Sequence, residues 1–516
     1  PPPPTPPQPP TTITPAPVQT GSLSVTVKLD PNLPNPPTTG RLVVALLSDQ
    51  AKVPPGTTPH DAPFWEVRQP IFGLDVPSLK DGIVVEAGRA GLDGAEGDLG
   101  ALPAGGYFVG ARLIVHRRSS QWLHDAGNIT SDVGYIEIKA GEAATLTLTL
   151  SNVIEERAFP APKKPGAPEL FEVRSKLLSD FHGREVVLRA GVIGPTEFQA
   201  DRQYAAVYCV PGFGGDHFEA LRHRMMAGGG EAAKELSKNV YWIYLDPESP
   251  NGHTLFADSE NNGPWGRALT EELIPALEKK YALKPAAEAR LLRGHSSGGW
   301  STLWLALTYP QTFGASWPTS PDPVDFRAFQ LCNIYADANM FVDAAGKERP
   351  SYRRRGKELM TVRQENNGER VMGPNQTSGE QWASWQAVAG SREKAGNPRA
   401  LFDQYTGAID RAEAERWKKF DIGERVRNEP EKMIGLLDSR VRLICGDEDN
   451  FYLEKAVMLL RDDVQRLAKE RGIALKGPGY IKLVEKADHG SVFASEAVKG
   501  IPGDMVEYLR GVGLVK

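Results

Sequence analysis

Between residues 205 and 310, short apolar runs alternate with stretches of helical pattern. AAVYCVPG (205–212), VYWIYLD (240–246) and ARLLRGH (289–295) have the length and composition of buried strands. Strands that are apolar on both faces need cover on both faces, and the helices between them supply it. The alternation therefore predicts an α/β fold built on a mostly parallel, doubly covered sheet.

The alternation pauses between about residue 320 and residue 440. This segment is rich in Arg, Trp, Tyr and Gln and is mostly helical in pattern, and RVRLICG resumes the sheet after it. A long insertion between two late elements of a sheet is typical of a cap over the strand ends. We therefore predict that residues 169–516 form one domain, a sheet with a cap-like helical insertion.

Residues 21–152 follow a different pattern. SLSVTVKLD, RLVVALLSD, YFVGARLIVH and ATLTLTLSN alternate or run apolar and are separated by Gly, Pro and Asp, which predicts an all-β sandwich domain. Such a domain either packs on its neighbour as a structural unit or binds a carbohydrate or a partner protein. The Pro- and Lys-rich residues 153–168 are predicted to link the two domains.

The chain opens with PPPPTPPQPPTTITPAP and has no initiator methionine. A stretch of this composition cannot bury a core, so residues 1–20 are predicted to be an extended tether. Such an opening favours an exported chain (secreted, periplasmic or lipid-anchored) whose signal has been removed, and the alternative is an interdomain linker. The three cysteines, Cys209, Cys332 and Cys445, cannot form a disulfide framework and do not decide the compartment.

Composition argues against two classes of function. The formal net charge is −5 and Lys and Arg form no long run, which argues against a nucleic-acid surface. No window approaches the roughly 20 consecutive apolar residues that a transmembrane segment needs. A small-molecule substrate is therefore expected, and the sequence leaves the oligomeric state open.

The segment Gly294-His295-Ser296-Ser297-Gly298 lies where a predicted strand ends and a predicted helix begins. It shows the G-x-S-x-G pattern in the context that a nucleophile elbow requires. A serine on so sharp a turn needs neighbours almost without side chains. Ser296 is therefore the predicted nucleophile, with the Ser297 N–H as an oxyanion donor. Ser297 itself is a weaker candidate for the nucleophile, and an ordinary N-cap serine is the alternative interpretation.

A second oxyanion donor is expected from the loop that follows an earlier strand. After AAVYCV the chain reads Pro211-Gly212-Phe213-Gly214-Gly215, which is a glycine-rich turn. We predict that the Phe213 N–H is this donor, with Gly214 as the alternative. Because both glycine-rich turns stand where an oxyanion hole requires them, this interpretation is favoured over an ordinary turn.

An elbow serine needs a histidine as general base, and the chain order in this arrangement is serine, acid, histidine. Of the nine histidines, only His489 follows the elbow. The acid should lie on the loop after RVRLICG, where Asp447, Glu448 and Asp449 stand. Asp449 is the first choice and Asp447 the second. Three neighbouring acids are also compatible with a solvated loop or a weak calcium site.

These motifs resemble the putative-esterase branch of the α/β-hydrolases, the group that holds S-formylglutathione hydrolase, feruloyl esterases and enterochelin esterase. GHSSGG resembles the elbow of that group, PGFGG its H-G-x-G-G oxyanion loop with Pro211 in place of the frequent histidine, and DHGSVF its histidine loop. GDEDNFYL resembles the group's G-x-x-D-x-F pattern, which assigns the acid to Asp449. The resemblance covers roughly residues 170–516 and implies an α/β-hydrolase fold with an unusually large insertion.

The residues and the resemblance together predict a serine carboxylic-ester hydrolase that needs no metal or organic cofactor. Its substrate is expected to be a small-molecule or carbohydrate-linked ester, by analogy with the group. A serine peptidase or acyltransferase would use the same triad, and a surface binding protein without activity is a third interpretation. The candidate substrate contacts are His253, Arg327, Tyr335, Trp382 and Trp385.

Overall fold

The computed structural model describes residues 18–64, 66–119, 125–163, 166–223 and 229–515. Most of the predicted tether, residues 1–17, lies outside these ranges. None of the helices within the described ranges combines the length and the apolar character that a bilayer crossing requires.

The described chain up to Val153, called the β region below, consists of strands, loops and a 3-10 turn at Pro59–Asp61. Its strands are β1 (Thr20–Leu29), β2 (Gly40–Ser48), β3 (Ile71–Val76), β4 (Ile83–Val85), β5 (Asp93–Ala95), β6 (Leu102–Pro103), β7 (Gly105–Ile114), β8 (Ile129–Ser131), β9 (Gly134–Ile138) and β10 (Ala143–Val153). Hydrogen bonds join them in the order β4-β1-β10-β8-β7-β2-β3-β5, with β6 on β1 and β9 on β7.

The β region has an apolar core of its own. Alternate residues of β1, namely Leu23, Val25 and Val27, are buried in it, as the two-residue period of a half-buried strand requires. The strands form one continuous hydrogen-bonded path. The division of this region into two packed sheets, and its independence as a sandwich domain, stay predictions.

The strands after the β region are β11 (Glu169–Arg174), β12 (Val187–Ile193), β13 (Ala205–Val210), β14 (Val240–Leu245), β15 (Glu248–Ser249), β16 (Gly252–His253), β17 (Asp258–Ser259), β18 (Gly263–Pro264), β19 (Arg290–His295), β20 (Ala315–Thr319), β21 (Pro350–Arg354), β22 (Lys357–Thr361), β23 (Arg442–Gly446) and β24 (Tyr480–Val484). Eight of these described strands form one sheet in the order β11-β12-β14-β13-β19-β20-β23-β24. Its neighbours are parallel from β14 onward, and β12 is antiparallel to both β11 and β14.

The helices are α1 (Lys176–His182), α2 (Glu231–Asn239), α3 (Trp265–Arg267), α4 (Ile274–Lys280), α5 (Ser297–Thr308), α6 (Val362–Met372), α7 (Gln381–Ala389), α8 (Arg411–Trp417), α9 (Ile422–Asn428), α10 (Pro430–Arg440), α11 (Glu454–Arg471), α12 (Glu496–Lys499) and α13 (Ile501–Gly511). A π-helical segment, Ala268–Leu273, joins α3 to α4. Helices α6 to α10 and the β21–β22 hairpin lie in the insertion between β20 and β23.

Apolar cores cover both faces of the eight-stranded sheet. Tyr208 and Leu292 enter the core on one face, whereas their neighbours Val207 and Leu291 enter the core on the other. The strands are therefore apolar throughout because each face is buried by helices. The prediction of a mostly parallel, doubly covered sheet is confirmed.

The carboxyl ends of the central strands meet at one edge of this sheet. Val210 at the end of β13 pairs with Gly294, and His295 at the end of β19 pairs with Thr319. Gly446 at the end of β23 pairs with the last residue of β24. The loops that leave these strands therefore lie together, and this is the edge at which open α/β sheets bind ligands.

The end of helix α6 packs on the β region. Val371 and Met372 share an apolar cluster with Val43, Ala45 and Ile71. The last carbonyl groups of a helix accept no hydrogen bond within that helix. Here the side chain of a buried arginine from β2 donates hydrogen bonds to them. This contact joins the insertion to the β region.

Arg41 is the arginine that makes this contact. Its Nε donates to the Val371 carbonyl (2.9 Å), and one Nη donates to the Arg370 carbonyl (3.0 Å) and to the Asp93 carboxylate (2.6 Å). The Arg41 side chain is only 7% exposed. One guanidinium thus donates to three polar groups from two regions of the chain.

Replacement Arg41→Met should loosen the β region from the insertion. The apolar stem stays, but the two helix-end carbonyls and the Asp93 carboxylate lose a buried donor, which should lower the free energy of unfolding by about 3 kcal/mol. Urea unfolding followed by fluorescence measures this change. The matched control is Lys139→Met, because the Lys139 ammonium faces solvent 3.9 Å from Glu142. Equal unfolding midpoints for the two variants would contradict the assignment.

Candidate active site

Ser296 lies on the sharp turn between β19 and α5. Its backbone φ is 58° and its ψ is −127°, a region that residues with side chains rarely adopt and that costs on the order of 1–3 kcal/mol. A Cβ on Gly294 would overlap the Gly298 carbonyl oxygen, and a Cβ on Gly298 would overlap that of Val210. The two glycines of the motif therefore allow the strand, the turn and the helix to pack backbone against backbone.

A cavity of about 460 Å³ lies at this edge of the sheet. Ser296, His489 and Phe213 all line it. Its other walls come from the β region, through Glu66, from the insertion and from the loop after β23. The three sequence motifs, which are far apart along the chain, thus contribute side chains to one cavity.

The His489 ring is fixed by the loop after β23. Its Nδ1 lies 2.7 Å from Oδ2 of Asp449, whose side chain is fully buried. The backbone N–H of His489 donates to the side-chain oxygen of Asn450 (3.0 Å). A proton on Nδ1, held by the carboxylate, leaves Nε2 as the basic nitrogen. Asp447 instead accepts the N–H of Lys486 (2.6 Å), so the histidine is joined to Asp449 and not to Asp447.

The surroundings of His489 shift its pKa. Burial disfavours the imidazolium and lowers the pKa, but the charge and the hydrogen bond of Asp449 raise it, and the charges of Asp322 and Asp488 add to this. The net result is a pKa above the ordinary value for histidine. The His295 ring lies 4.3 Å from that of His489, and burial and this neighbour hold the pKa of His295 well below the ordinary value.

The insertion supports the loop that carries the acid. On the β21–β22 hairpin, Arg353 donates from Nε to the Asp449 carbonyl (3.0 Å) and from Nη to the buried Glu454 carboxylate (2.8 Å). The Asn450 amide donates in turn to the Arg353 carbonyl (2.7 Å). Arg353 thus holds the backbone of Asp449, and it contacts Asn450, which accepts the N–H of His489.

The glycine-rich loop after β13 packs directly against the elbow. A Cβ on Gly212 would lie 3.3 Å from the His295 carbonyl oxygen and 3.4 Å from Cβ of Ser296. Ser297 is the first residue of α5, so its N–H has no acceptor within the helix. The Ser296 N–H donates to the Thr319 carbonyl (3.0 Å) and is therefore already used. Phe213 and Ser297 remain the two oxyanion donors that the sequence predicts.

Asp322 is a site residue that the sequence analysis missed. It lines the cavity and is buried, and its Oδ2 accepts hydrogen bonds from Ser297 Oγ (2.7 Å), Gln381 Nε2 (2.8 Å) and Trp385 Nε1 (3.0 Å). Burial raises its pKa, and these donors oppose the rise. Its place just after β20, at the carboxyl edge of the sheet, is the signal that could have identified it.

His253, predicted as a substrate contact, does not line the cavity. The ring is 1% exposed, and its Nε2 is 3.0 Å from the Pro211 carbonyl while Nδ1 accepts the Leu255 N–H (3.0 Å). Burial lowers its pKa to about 4. The neutral ring therefore supports the backbone of the glycine-rich loop at Pro211.

Arg327 and Tyr335, both predicted as substrate contacts, also lie outside the cavity lining, and other residues of the chain satisfy their polar groups. The Arg327 guanidinium pairs with Asp325 (2.7 Å) and with Asp463 on α11 (2.7 Å). The Tyr335 hydroxyl donates to the buried Asp421 carboxylate (2.9 Å). Arg327 therefore joins the insertion to α11, whereas Tyr335 joins two parts of the insertion to each other.

Trp382 and Trp385, the remaining predicted contacts, line the cavity from helix α7. The β region contributes Glu66 to the lining, and this residue accepts a hydrogen bond from the Tyr352 hydroxyl (3.4 Å) and pairs with Arg354. The sequence analysis assigned no site residue to the β region. The cavity is nevertheless walled in part by it.

Metal-ligating side chains do not gather at this site or elsewhere in the described ranges. Within them, no group of three or more His, Cys, Asp or Glu residues is placed to hold a metal ion. Cys209, Cys332 and Cys445 are buried free thiols. The neighbouring acids after β23 therefore do not form the alternative calcium site among the residues described.

Several solved structures match the chain at low sequence identity. FphF, a fluorophosphonate-binding serine hydrolase of Staphylococcus aureus, is 14% identical with a TM-score of 0.38, and the match covers 66% of this chain and 99% of that one. An S-formylglutathione hydrolase from Agrobacterium tumefaciens is 15% identical (TM-score 0.38, 68% and 99% covered). A ferulic acid esterase from Anaeromyces mucronatus is 12% identical (TM-score 0.30, 67% and 92% covered). No curated protein matches the chain.

A family comparison covers the centre of the chain. The family model described as Putative esterase matches residues 188–402. This range holds strands β13 to β20, the elbow with Ser296, the glycine-rich loop and most of the insertion. Residues 188–402, less than half of the chain, are therefore similar to the Putative esterase family.

Proposed function

We propose that the protein is a serine carboxylic-ester hydrolase in which Ser296 is the nucleophile, His489 the general base and Asp449 the acid that orients it. One observation carries this proposal. A histidine bound at Nδ1 to a buried carboxylate lines the same cavity as a serine held on a strained turn. Such an imidazole has its second nitrogen available to take the proton of a hydroxyl.

The reaction follows from these roles. His489 removes the Ser296 proton while the oxygen attacks the ester carbonyl carbon. The N–H groups of Phe213 and Ser297, with the positive end of the α5 dipole, stabilise the oxyanion that forms. The imidazolium then protonates the leaving alcohol, and an acyl-enzyme remains. Water, activated by the same imidazole, releases the acid, so the cycle calls for neither a metal ion nor an organic cofactor.

The cavity walls support an aromatic or sugar-linked ester as substrate. Trp382, Trp385, Phe329 and Tyr352 line the cavity with flat apolar faces, on which aromatic rings and sugar faces pack well. The choice of such esters rests on this lining and on analogy with the family.

Two other functions would use the same residues. A serine peptidase or acyltransferase differs in the leaving group or in the acceptor of the acyl group, and an inactive surface binding protein would use the cavity without chemistry. The match to the Putative esterase family favours ester hydrolysis. The strained backbone at Ser296 also favours chemistry, because a binding surface gains nothing from it.

We further infer that residues 169–516 form the catalytic domain and residues 21–152 a second domain, joined by residues 153–168. The separate core of the β region supports this division. An exported location stays a prediction from the proline-rich opening.

Replacement Ser296→Ala tests the nucleophile. It should abolish labelling by a fluorophosphonate probe and lower kcat for a 4-nitrophenyl ester by a factor of at least about 10⁴, because the covalent route is lost. Fluorescence of the protein band on a gel measures probe labelling, and the release of 4-nitrophenol measures kcat. The control is Ser439→Ala, because the Ser439 hydroxyl donates to the Leu436 carbonyl at an exposed position of helix α10.

The same assays separate the alternatives. Labelling of Ser296→Ala at the wild-type rate would refute the assignment of the nucleophile. A peptide amide hydrolysed faster than an ester of the same acyl group would favour the peptidase. No labelling of the wild-type protein would favour the binding protein.

The pH profile tests the His489–Asp449 pair. His489 must be neutral to accept a proton, and its pKa is raised, so kcat/KM should fall with decreasing pH through a value above the ordinary value of about 6.5. In Asp449→Asn the raising carboxylate is gone and burial remains, so the acidic limb should move to lower pH. The plateau kcat should also drop by about 10³–10⁴.

The control for this profile is Asp447→Asn, in which a carboxylate of the same loop is removed without touching the His489 ring. Its acidic limb should coincide with that of the wild-type protein. An unchanged limb in Asp449→Asn, or a shift in Asp447→Asn instead, would reassign the acid.

A further inference from the structure

The segment that leaves β20 runs along the turn that carries Ser296. The Ser296 N–H donates to the Thr319 carbonyl (3.0 Å), and the Asp322 N–H donates in return to the Ser296 carbonyl (3.2 Å). A Cβ on Gly299 would lie 2.6 Å from the Thr319 carbonyl oxygen and 3.1 Å from Cα of Pro321. The segment therefore packs backbone against backbone on the turn and on the first turn of α5.

The Asp322 side chain collects three donors from two helices. Its Oδ2 accepts hydrogen bonds from Ser297 Oγ at the start of α5 (2.7 Å) and from Gln381 Nε2 and Trp385 Nε1 on α7 (2.8 and 3.0 Å). The Gln381 amide also donates to Ser297 Oγ (3.3 Å). One carboxylate oxygen thus joins the first residue of α5 to a helix of the insertion.

These hydrogen bonds lie in the protein interior. Asp322 is 3% exposed, Trp385 is 1% exposed and Ser297 is fully buried. Hydrogen bonds to a charged acceptor are roughly twice as strong as those between neutral groups, and a buried carboxylate that loses its donors is costly. Trp385 also stands edge-on to Trp300 of α5, with 5.1 Å between the ring centroids. Helix α7 is therefore held on the start of α5 by a polar and an apolar contact.

Ser297 is the residue whose N–H is proposed to stabilise the oxyanion. Its hydroxyl and its N–H belong to one residue, so a hydrogen bond that fixes the hydroxyl also limits the movement of the N–H. An oxyanion donor acts only when it is held in place before the reaction. A misplacement of about 1 Å costs about 10²-fold in rate, so the Asp322–Ser297 hydrogen bond bears directly on catalysis.

The charge of Asp322 also acts on the base. Asp322 and His489 line the same cavity. Burial lowers the pKa of His489, whereas the carboxylates of Asp449, Asp322 and Asp488 raise it. The other titratable group that faces His489 is His295, whose ring centroid lies 4.3 Å away.

We propose that Asp322 is a positioning residue for the proposed ester hydrolysis, which fixes Ser297 so that its N–H faces the oxyanion and ties this donor to helix α7. The inference rests on the proposed function of the same cavity. The insertion supplies two of the three donors to Asp322. Its packing on the sheet therefore helps to set the geometry of the oxyanion site as well as the walls of the cavity.

The variant Asp322→Asn keeps the shape of the side chain and removes its charge. The kcat for a 4-nitrophenyl ester should fall by at least about tenfold while KM stays within about threefold, because the loss falls on the transition state. The acidic limb of kcat/KM should also move to lower pH, since a charge that raises the pKa of His489 is gone. A residue that only supported the fold would leave this limb at its wild-type position.

The variant Ser297→Ala removes one donor to the carboxylate and leaves the charge in place. The kcat and the rate of fluorophosphonate labelling should each fall by at least about fivefold, and the acidic limb should not move to lower pH. In the double variant with Asp322→Asn the two losses should not multiply, because both changes remove the same hydrogen bond. Its kcat should lie within about threefold of that of Asp322→Asn alone. Ser297→Ala tests the inference by itself if Asp322→Asn fails to fold.

The matched control is Asp421→Asn, the same substitution at another buried carboxylate of the insertion. Asp421 accepts the Tyr335 hydroxyl (2.9 Å), and the charges that act on it are those of Asp325 and Arg427. It does not line the cavity. The thermal unfolding midpoint of this variant should fall, but its kcat and its acidic limb should match those of the wild-type protein.

The outcomes are distinct. Wild-type kcat in Ser297→Ala, a multiplied loss in the double variant or an unmoved acidic limb in Asp322→Asn would overturn the positioning role while leaving ester hydrolysis intact. An equal loss of kcat in Asp421→Asn would also overturn it, because any weakening of the insertion would then suffice. Absence of both ester turnover and fluorophosphonate labelling in the wild-type protein would overturn the proposed function, and the inference with it.

Discussion

The site depends on the close approach of three backbone segments at the carboxyl edge of the sheet. The end of β13, the turn at Ser296 and the start of α5 touch without intervening side chains, because Gly294 and Gly298 have none. This contact stores strain at the serine, and the apolar cores on both faces of the sheet hold it in place. The insertion and the β region add walls to an edge that is already defined by the sheet.

A second constraint is electrostatic. Ser296 lies in a cavity whose lining holds carboxylates and no described basic side chain other than histidine. Asp449 is bound to His489, and Asp322 is satisfied by three donors, so these two charges are used inside the protein. Burial raises the pKa of Glu365 to about 7, and hydrogen bonds from the Ser351 and Trp382 side chains oppose this rise.

The sequence was sufficient for what depends on local pattern and chain order. Strand periodicity predicted the sheet, and the order of serine, acid and histidine identified Ser296, His489 and Asp449, which the fold brings to one edge. It was insufficient where a side chain's partner is distant in the chain. Arg327 pairs with Asp463 on α11, and no local pattern indicates this. Asp322 was overlooked because its donors come from α5 and α7.

Helix α6 connects the β region, the cavity and helix α7. Its last turn is held by Arg41 of the β region, its middle carries Glu365 into the cavity lining, and Glu369, one turn further, accepts the first N–H groups of α7. A helix is stiff over this length, so its docking on the β region helps to set where Glu365 and the two tryptophans of α7 stand. The β region therefore affects the shape of the cavity through this helix, and Glu66 is the described residue of that region that lines the cavity directly.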